Sequence, residues 1–460
     1  MLRPRDEFAL PVLLVLSLLL TSCGGGGSGN SNAGAQATTA KAFYSLASDI
    51  PVSGPAVPGV DAYDQAVKSF MLKWNAPGVT LAVVWNGQLI VARSHGYAEY
   101  DTKQLMQPDS RMRIASASKT FTSVAILHLV EQGKLSLDDR FLDILTQFQV
   151  PPNGDQRLHQ ITIRQLLQHS GGWDRAISGD PTGMSATIVS ALGVPAPATC
   201  SDTIRYMMGK PLDFNPGEKF AYSNFGYCIL GRVVEKLSGQ RYEDYVRNEV
   251  LSTMDIRGMS IGRTMLSQRG MNEVRYYDSA GAPLYQSVFP NGGKVEGPYG
   301  LFSVEAGESF GGWVASVVDL TRFMTALDGT RGNFLNPEMV TVMTAKPDLV
   351  VPDAAPGWNG AYRTDGWYGL GLFLQPDTQA LTWWHWGNMP GSDAVMLRNG
   401  RGYAWAVLVN TFTTTSNAAS FMSDLDTLMW NAFNGGVQGS TTDLYAQYPS
   451  PDVPPSGVQN

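Results

Sequence analysis

Strand-forming residues lie at the two ends of this chain and helix-forming residues lie between them. Near the start, Val79–Trp85 and Leu89–Ala92 are β-rich runs joined by Asn86-Gly87, the strongest short-range signal for a hairpin. Toward the end, Trp367–Leu374, Leu381–Trp386, Ser392–Arg398 and Tyr403–Val409 read as strands, the last two joined by the turn Asn399-Gly400-Arg401-Gly402. Helical spacing marks Asp61–Trp74, ended by Pro77-Gly78, and Asn417–Phe433. Between about 136 and 330 helical patterns dominate: a start capped by Ser136, then Ile161–His169, Asp202–Met208, Asn224–Leu237, Tyr242–Leu251 and Ala315–Leu327. Residues 256–312 resist this reading. Length alone allows two or three domain-sized units. The order of elements is better met by an α/β (α+β) fold: one antiparallel sheet built from both chain ends, flanked by helices, with a mainly helical region inserted.

The helix after Arg113-Ile114-Ala115 is apolar most of the way round from Ser116 to Glu131, with Gly133 as its stop, so it is buried. Its first turn nevertheless carries Ser116 and Lys119, three apart and therefore on one face. The free N–H groups and positive dipole end of a helix start favour developing negative charge. An ammonium one turn from a hydroxyl stabilises an alkoxide, or takes its proton if the lysine is desolvated. The bland reading makes Ser116 a helix cap and Lys119 a solvated residue.

Charge and composition narrow the field. The chain is 43% hydrophobic and 16% charged, with a formal net charge of −7 and no basic run, which argues against nucleic acid as a partner. Residues 1–22 read as a lipoprotein signal peptide: Arg3 and Arg5, the apolar run Phe8–Leu20, then Leu20-Thr21-Ser22-Cys23. That ending resembles a bacterial lipobox, in which Cys23 becomes the lipidated N-terminus. An ordinary signal peptide or an uncleaved anchor is the plainer alternative. Residues 23–60 then form a glycine-rich tether, residues 61–435 the domain, and residues 436–460 a loose Pro-, Ser- and Thr-bearing tail. Lipidation predicts a place in the cell envelope at a membrane surface. Cys200 and Cys228 remain as an even pair, open to a disulfide or to two buried thiols.

Two further stretches carry chemistry. Tyr222-Ser223-Asn224 follows the turn Pro216-Gly217 and precedes a helix. Tyr222 and Asn224 are two apart on extended backbone and can point the same way. A phenol near a lysine can act as a proton relay, and an amide can hold a carbonyl. Alone, Asn224 is as well explained as a helix cap and Tyr222 as a half-buried aromatic. In Trp383-Trp384-His385-Trp386-Gly387-Asn388, Gly387 lets another backbone or a ligand lie close to a strand. A free Asn388 N–H could join that of Ser116 as an oxyanion donor. The alternative is a sheet edge with a structural histidine.

Ser116-Ala117-Ser118-Lys119, Tyr222-Ser223-Asn224 and His385-Trp386-Gly387, in that order, resemble the three active-site motifs of serine β-lactamases and penicillin-binding proteins. The likeness is to the class C branch and its D-alanyl-D-alanine carboxypeptidase, D-aminopeptidase and esterase relatives. It runs from about Asp61 to Phe433 and takes in Leu166–Gly172, Asn215-Pro216-Gly217 and Gly311–Ser316. The resemblance implies the β-lactamase/transpeptidase-like fold and an acyl-serine route. Ser116 would be the nucleophile, and Lys119 and Tyr222 would share proton transfer, with the base left open. Asn224 would orient the substrate carbonyl, His385 and Gly387 would line the strand along which substrate lies, and the Ser116 and Asn388 N–H groups would form the oxyanion hole.

The chain departs from the usual pattern at His385, where a lysine would supply a permanent cation for a substrate carboxylate. This favours an esterase-like hydrolase of a small molecule or peptide over a dedicated β-lactamase. D-amino-acid peptidase action, weak β-lactamase action and a non-catalytic binder with this fold are the alternatives. Trp383, Trp384 and Trp386 either line an apolar pocket or pack the sheet. His169 reads as fixing its loop. There is no G-x-S-x-G around Ser116, no H-E-x-x-H, no phosphate loop and no dinucleotide fingerprint, so no cofactor or metal is expected. Oligomeric state is not legible.

Overall fold

A computed structural model describes residues 46–279, 281–349, 366–376, 381–412, 418–434 and 439–458. The main sheet is antiparallel. In spatial order its strands are Val52–Ser53, Gln88–Glu99, Gly78–Trp85, Tyr403–Val409, Ser392–Arg398, Leu381–Met389, Phe373–Pro376 and Trp367–Tyr368. Gln104–Leu105 pairs separately with Gln88–Glu99. The two chain ends meet where Val79 pairs with Val409 and Trp85 with Tyr403. The Asn86-Gly87 hairpin has positive φ at both residues, 47° and 78°, as a type I′ turn requires.

Alternation divides the core. Ala82 and Val84, with Ala404, Ala406 and Leu408, face the inserted helices, including Ser118–Glu131, Asn224–Ser238 and Val317–Leu327. Val79, Leu81 and Val83, with Trp405, Val407 and Val409, face helices Val60–Trp74 and Ala418–Asn434. Those two terminal helices lock together by Phe70 against Phe421 (4.9 Å between rings) and a Trp74 Nε1–H bond to Asp424 (2.7 Å).

Several elements differ from the sequence expectation. The first helix spans Val60–Trp74 as expected, but left-handed Asn75 ends it in place of Pro77-Gly78, and Gly78 already opens a strand. The run Trp367–Leu374 breaks into two short strands around Gly371. Ser136 takes part in a turn, and the helix begins only at Phe141. Tyr242–Leu251 is one α-turn followed by a π-helical turn. Trp313–Ala315 is a strand between Met112–Arg113 and Ser260–Ile261, so the following helix starts at Val317. Three residues are too few for periodicity to register. Residues 439–458 do not form a loose tail. Leu444 and Tyr445 are buried, Ser450 Oγ donates to Asp319 (3.2 Å), and Ser456 N–H donates to Glu243 (3.0 Å). Composition reports solvation preference and cannot see such docking. Residues 1–45, with Cys23, lie outside the described residues.

Candidate active site

The nucleophile candidate sits at a bend. Ala115 has φ 46°, a left-handed conformation unusual for a residue with a Cβ. A 3-10 turn over Ala115–Ala117 leads into the Ser118–Glu131 helix, and Ser116 makes no side-chain cap. Ser116 is half-exposed while its neighbours are buried. The approach is braced from below: buried Arg113 donates to the carbonyls of Pro298 (2.6 Å) and Arg263 (2.8 Å) and lies over the Tyr276 ring. Ile114 N–H pairs with the Trp313 carbonyl (2.9 Å), and Trp313 N–H donates to Ser118 Oγ (3.2 Å). The short strand thereby fixes both sides of Ser116.

Lys119 is fully buried. Its Nζ lies 3.1 Å from Ser116 Oγ and donates to the Phe310 carbonyl at 2.7 Å. Burial holds this amine well below the ordinary lysine pKa; the Asp180 carboxylate opposes the shift and the Arg175 guanidinium adds to it. Tyr222 is also buried and shares a hydrogen bond with Ser116. Burial raises its pKa. Desolvation disfavours charge on both groups, which moves the amine toward its neutral form and keeps the phenol protonated.

Tyr222 is backed by His169, whose ring centroid is 4.2 Å away and whose Nδ1 accepts the Ser223 N–H at 3.1 Å. Ser223, rather than Asn224, caps the following helix by accepting the Gly226 N–H. This frees Asn224, whose Nδ2 donates to Asp180 at 2.7 Å and whose Oδ1 has no partner among the described residues. The Arg175 guanidinium lies 5.0 Å from the Tyr222 ring centre. His169, Tyr368, Arg175, Asp180 and the Phe310 carbonyl were not singled out for the site from the sequence, or, for His169, only as a loop anchor. His169 lies in the Leu166–Gly172 stretch of the resemblance; the others belong to none of the three motifs, and folding brings them here.

The third stretch divides. His385 is fully buried, with Nδ1 2.6 Å from the Trp386 carbonyl and Nε2 3.3 Å from Tyr368 Oη. Burial, with the nearby Lys119, pushes its pKa down to about 3, so it is a neutral packing residue. Gly387 serves a backbone: a Cβ there would lie 1.8 Å from the Ile114 carbonyl oxygen and 3.0 Å from Ala115 Cβ. Met389 pairs with Ser392 across Pro390-Gly391. Ladder alternation therefore turns Asn388 N–H away from the Ser392–Arg398 strand, toward the edge left open where Phe373–Pro376 has ended. The Asn388 side chain points to Asp393, donating at 2.6 Å. The tryptophans pack: Trp383 and Trp384 are buried on opposite faces, and Trp386 stacks on Phe373 at 4.7 Å. Cys200 and Cys228 are joined by a disulfide, with Cα atoms 5.6 Å apart. Among the described residues no cluster of His, Cys, Asp or Glu could hold a metal ion.

The chain is similar to known proteins. A family model described as Beta-lactamase matches residues 63–428. Protein flp of Staphylococcus aureus (strain COL) is 30% identical over 201 residues, covering 44% of this chain and 38% of that protein. The chain thus spans well under half the length of this curated relative. The D-amino acid amidase from Ochrobactrum anthropi SV3 has a TM-score of 0.62 at 20% identity, over 82% of this chain and 98% of that one. EstCE1, a hydrolase with promiscuous acyltransferase activity, gives 0.61 at 20% identity, over 79% and 98%. At such identities the likeness establishes the fold, an antiparallel sheet flanked by helices.

Proposed function

Because the chain belongs to the beta-lactamase family, we propose that it is a serine hydrolase, esterase-like, that cleaves its substrate through an acyl-serine intermediate. The observation that carries this reading is the contact of Ser116 with both a buried lysine amine and a buried phenol. Ser116 Oγ attacks the carbonyl carbon while its proton passes to the neutral Lys119 amine. The developing oxyanion takes hydrogen bonds from the N–H groups of Ser116 and Asn388. Tyr222 hands its proton to the leaving group and regains one from the Lys119 ammonium. Water then attacks the acyl-serine by the reverse relay, releasing the acid and restoring Ser116. Asn224 orients the substrate carbonyl side from the Asp180 contact.

Neutral, buried His385 offers no cation for a β-lactam carboxylate, which weighs toward esters. The likeness to an amidase acting on D-amino acids keeps D-amino-acid amides and peptides as the second reading. The sequence around Cys23 supports attachment by lipid at a bacterial membrane, facing the envelope; no described helix is long and apolar enough to cross one. Metabolic labelling with a radioactive fatty acid, in wild type and Cys23→Ala, tests that attachment.

The activity test compares wild type with Ser116→Ala on short-chain 4-nitrophenyl esters, a chromogenic cephalosporin and D-alanyl peptides. Ester turnover abolished by the substitution is the expected result. Turnover of peptide or cephalosporin would move the assignment to the second reading. No turnover and no acyl adduct by mass spectrometry would leave a binding protein.

A further inference from the structure

Resting on the hydrolase reading above, we infer that Arg175 is the anion-recognition group of this site and that the substrate carries a carboxylate several bonds from the scissile carbonyl. Arg175 lies half-exposed on the loop that runs from Gly171 toward Pro181. That loop is tied down on both sides of it. Asp174 accepts from Lys219 Nζ at 2.8 Å, and its own N–H donates to Asp213 at 2.7 Å. Ser178 Oγ donates to the same Asp213 oxygen at 2.8 Å. Asp180 accepts from Asn224 at 2.7 Å and from the Thr182 N–H at 3.0 Å.

Asp174 is thus paired with Lys219, while Asp180 and Asp213 have their oxygens turned to neutral donors, and none of the three bonds the guanidinium. Among the described residues Arg175 has no hydrogen bond or ion pair, and its guanidinium lies 5.0 Å from the Tyr222 ring centre. On a loop tied down on both sides, a guanidinium with its donors unused can bind a planar anion bidentately.

The position sets the reach. Tyr222 is hydrogen-bonded to Ser116. A phenol oxygen is ~2.8 Å from its ring centre and the bond adds a similar length, so Arg175 is within ~11 Å of the serine hydroxyl. A chain of up to six carbons spans that gap once the ~3 Å of a charge-assisted hydrogen bond is included. The cation that His385 cannot supply is therefore offered from the Tyr222 side of Ser116.

The test compares kcat/KM for 4-nitrophenyl hexanoate, mono-4-nitrophenyl adipate (acid on the acyl side) and 3-carboxy-4-nitrophenyl hexanoate (acid on the leaving group). It uses the folded wild type, Arg175→Met and Arg175→Lys. One acidic ester is expected to exceed the neutral one about tenfold to a hundredfold in wild type. The excess should appear mainly in KM, collapse toward unity in Arg175→Met and return in part in Arg175→Lys. Which ester shows it assigns the acid to the acyl or leaving side. Equal use of all three by wild type overturns the inference and leaves the hydrolase reading standing. An acidic preference that survives Arg175→Met overturns it as well. Failure on all three, with no Ser116 adduct, overturns the hydrolase reading and this inference with it.

Discussion

Lys119 Nζ donates to the carbonyl oxygen of Phe310 at 2.7 Å, across 191 positions of sequence. That bond fixes the Lys119 Nζ within 3.1 Å of Ser116 Oγ. The amine is positioned by a backbone atom from the stretch that sequence periodicity leaves unreadable.

Removing this amine should separate activity from stability. Lys119→Met is expected to lower kcat on the best ester by about a thousandfold. Below the ordinary lysine pKa the unfolded chain binds a proton that the folded Lys119 lacks. Wild-type stability therefore falls as pH falls from the ordinary lysine range toward the depressed folded value. Met at 119 should be the more stable protein, by a larger margin at pH 6 than at pH 9, in urea denaturation. A margin independent of pH would contradict the neutral amine.

Gly387→Ala should damage the site without touching a catalytic side chain. Its methyl would meet the Ile114 carbonyl oxygen at 1.8 Å, and Ile114 is two residues from Ser116. The expected cost is about 2–3 kcal/mol of stability from overpacking and about a hundredfold in kcat/KM from displaced Ser116. Denaturation curves and acylation by a fluorophosphonate probe measure the two.

Asp393 makes a pH-dependent liability. Burial raises its carboxyl to about 8, although Asn388 donates to it, and Oδ2 has no partner among the described residues. The folded state keeps a proton that the unfolded state has lost, so this group's stability contribution is full below about pH 4 and falls as pH rises toward 8. Asp393→Asn should stabilise the protein by about 2 kcal/mol or more at pH 8 and little at pH 4. Thermal melts across that range read the difference.

Deleting residues 439–460 should destabilise the domain. Buried Glu243 would keep the Ile261 N–H (3.0 Å) and lose its bonds from Ser456, and Arg331 would lose Asp443 (2.7 Å). The expected loss is about 3 kcal/mol or more, read by chemical denaturation. A tail removed by limited proteolysis with no change in stability would restore the reading from composition.

The sequence by itself determined the longer strands of the sheet and the three chemical stretches, but not the edge strand Val52–Ser53, which it read as part of the linker, nor Gln104–Leu105. Alternating apolar residues, the Asn86-Gly87 and Asn399–Gly402 turns and the all-round apolar helix after Ser116 are local signals, because burial on a face or around a cylinder leaves a period in the chain. The pairing of Ser116 with Lys119 was legible for the same reason, since three residues make one helical turn. What only the tertiary structure decided are relations with no period. These include Phe310 behind Lys119, His169 behind Tyr222, Arg175 beside the Tyr222 ring without a bonded carboxylate, and Gly387 opened for the Ile114 backbone rather than a ligand. The docked segment 439–458 and the three-residue strand Trp313–Ala315 belong with them. Each depends on which distant surfaces come into contact and exclude water, and that same exclusion pushes the pKa of Lys119 and of His385 down.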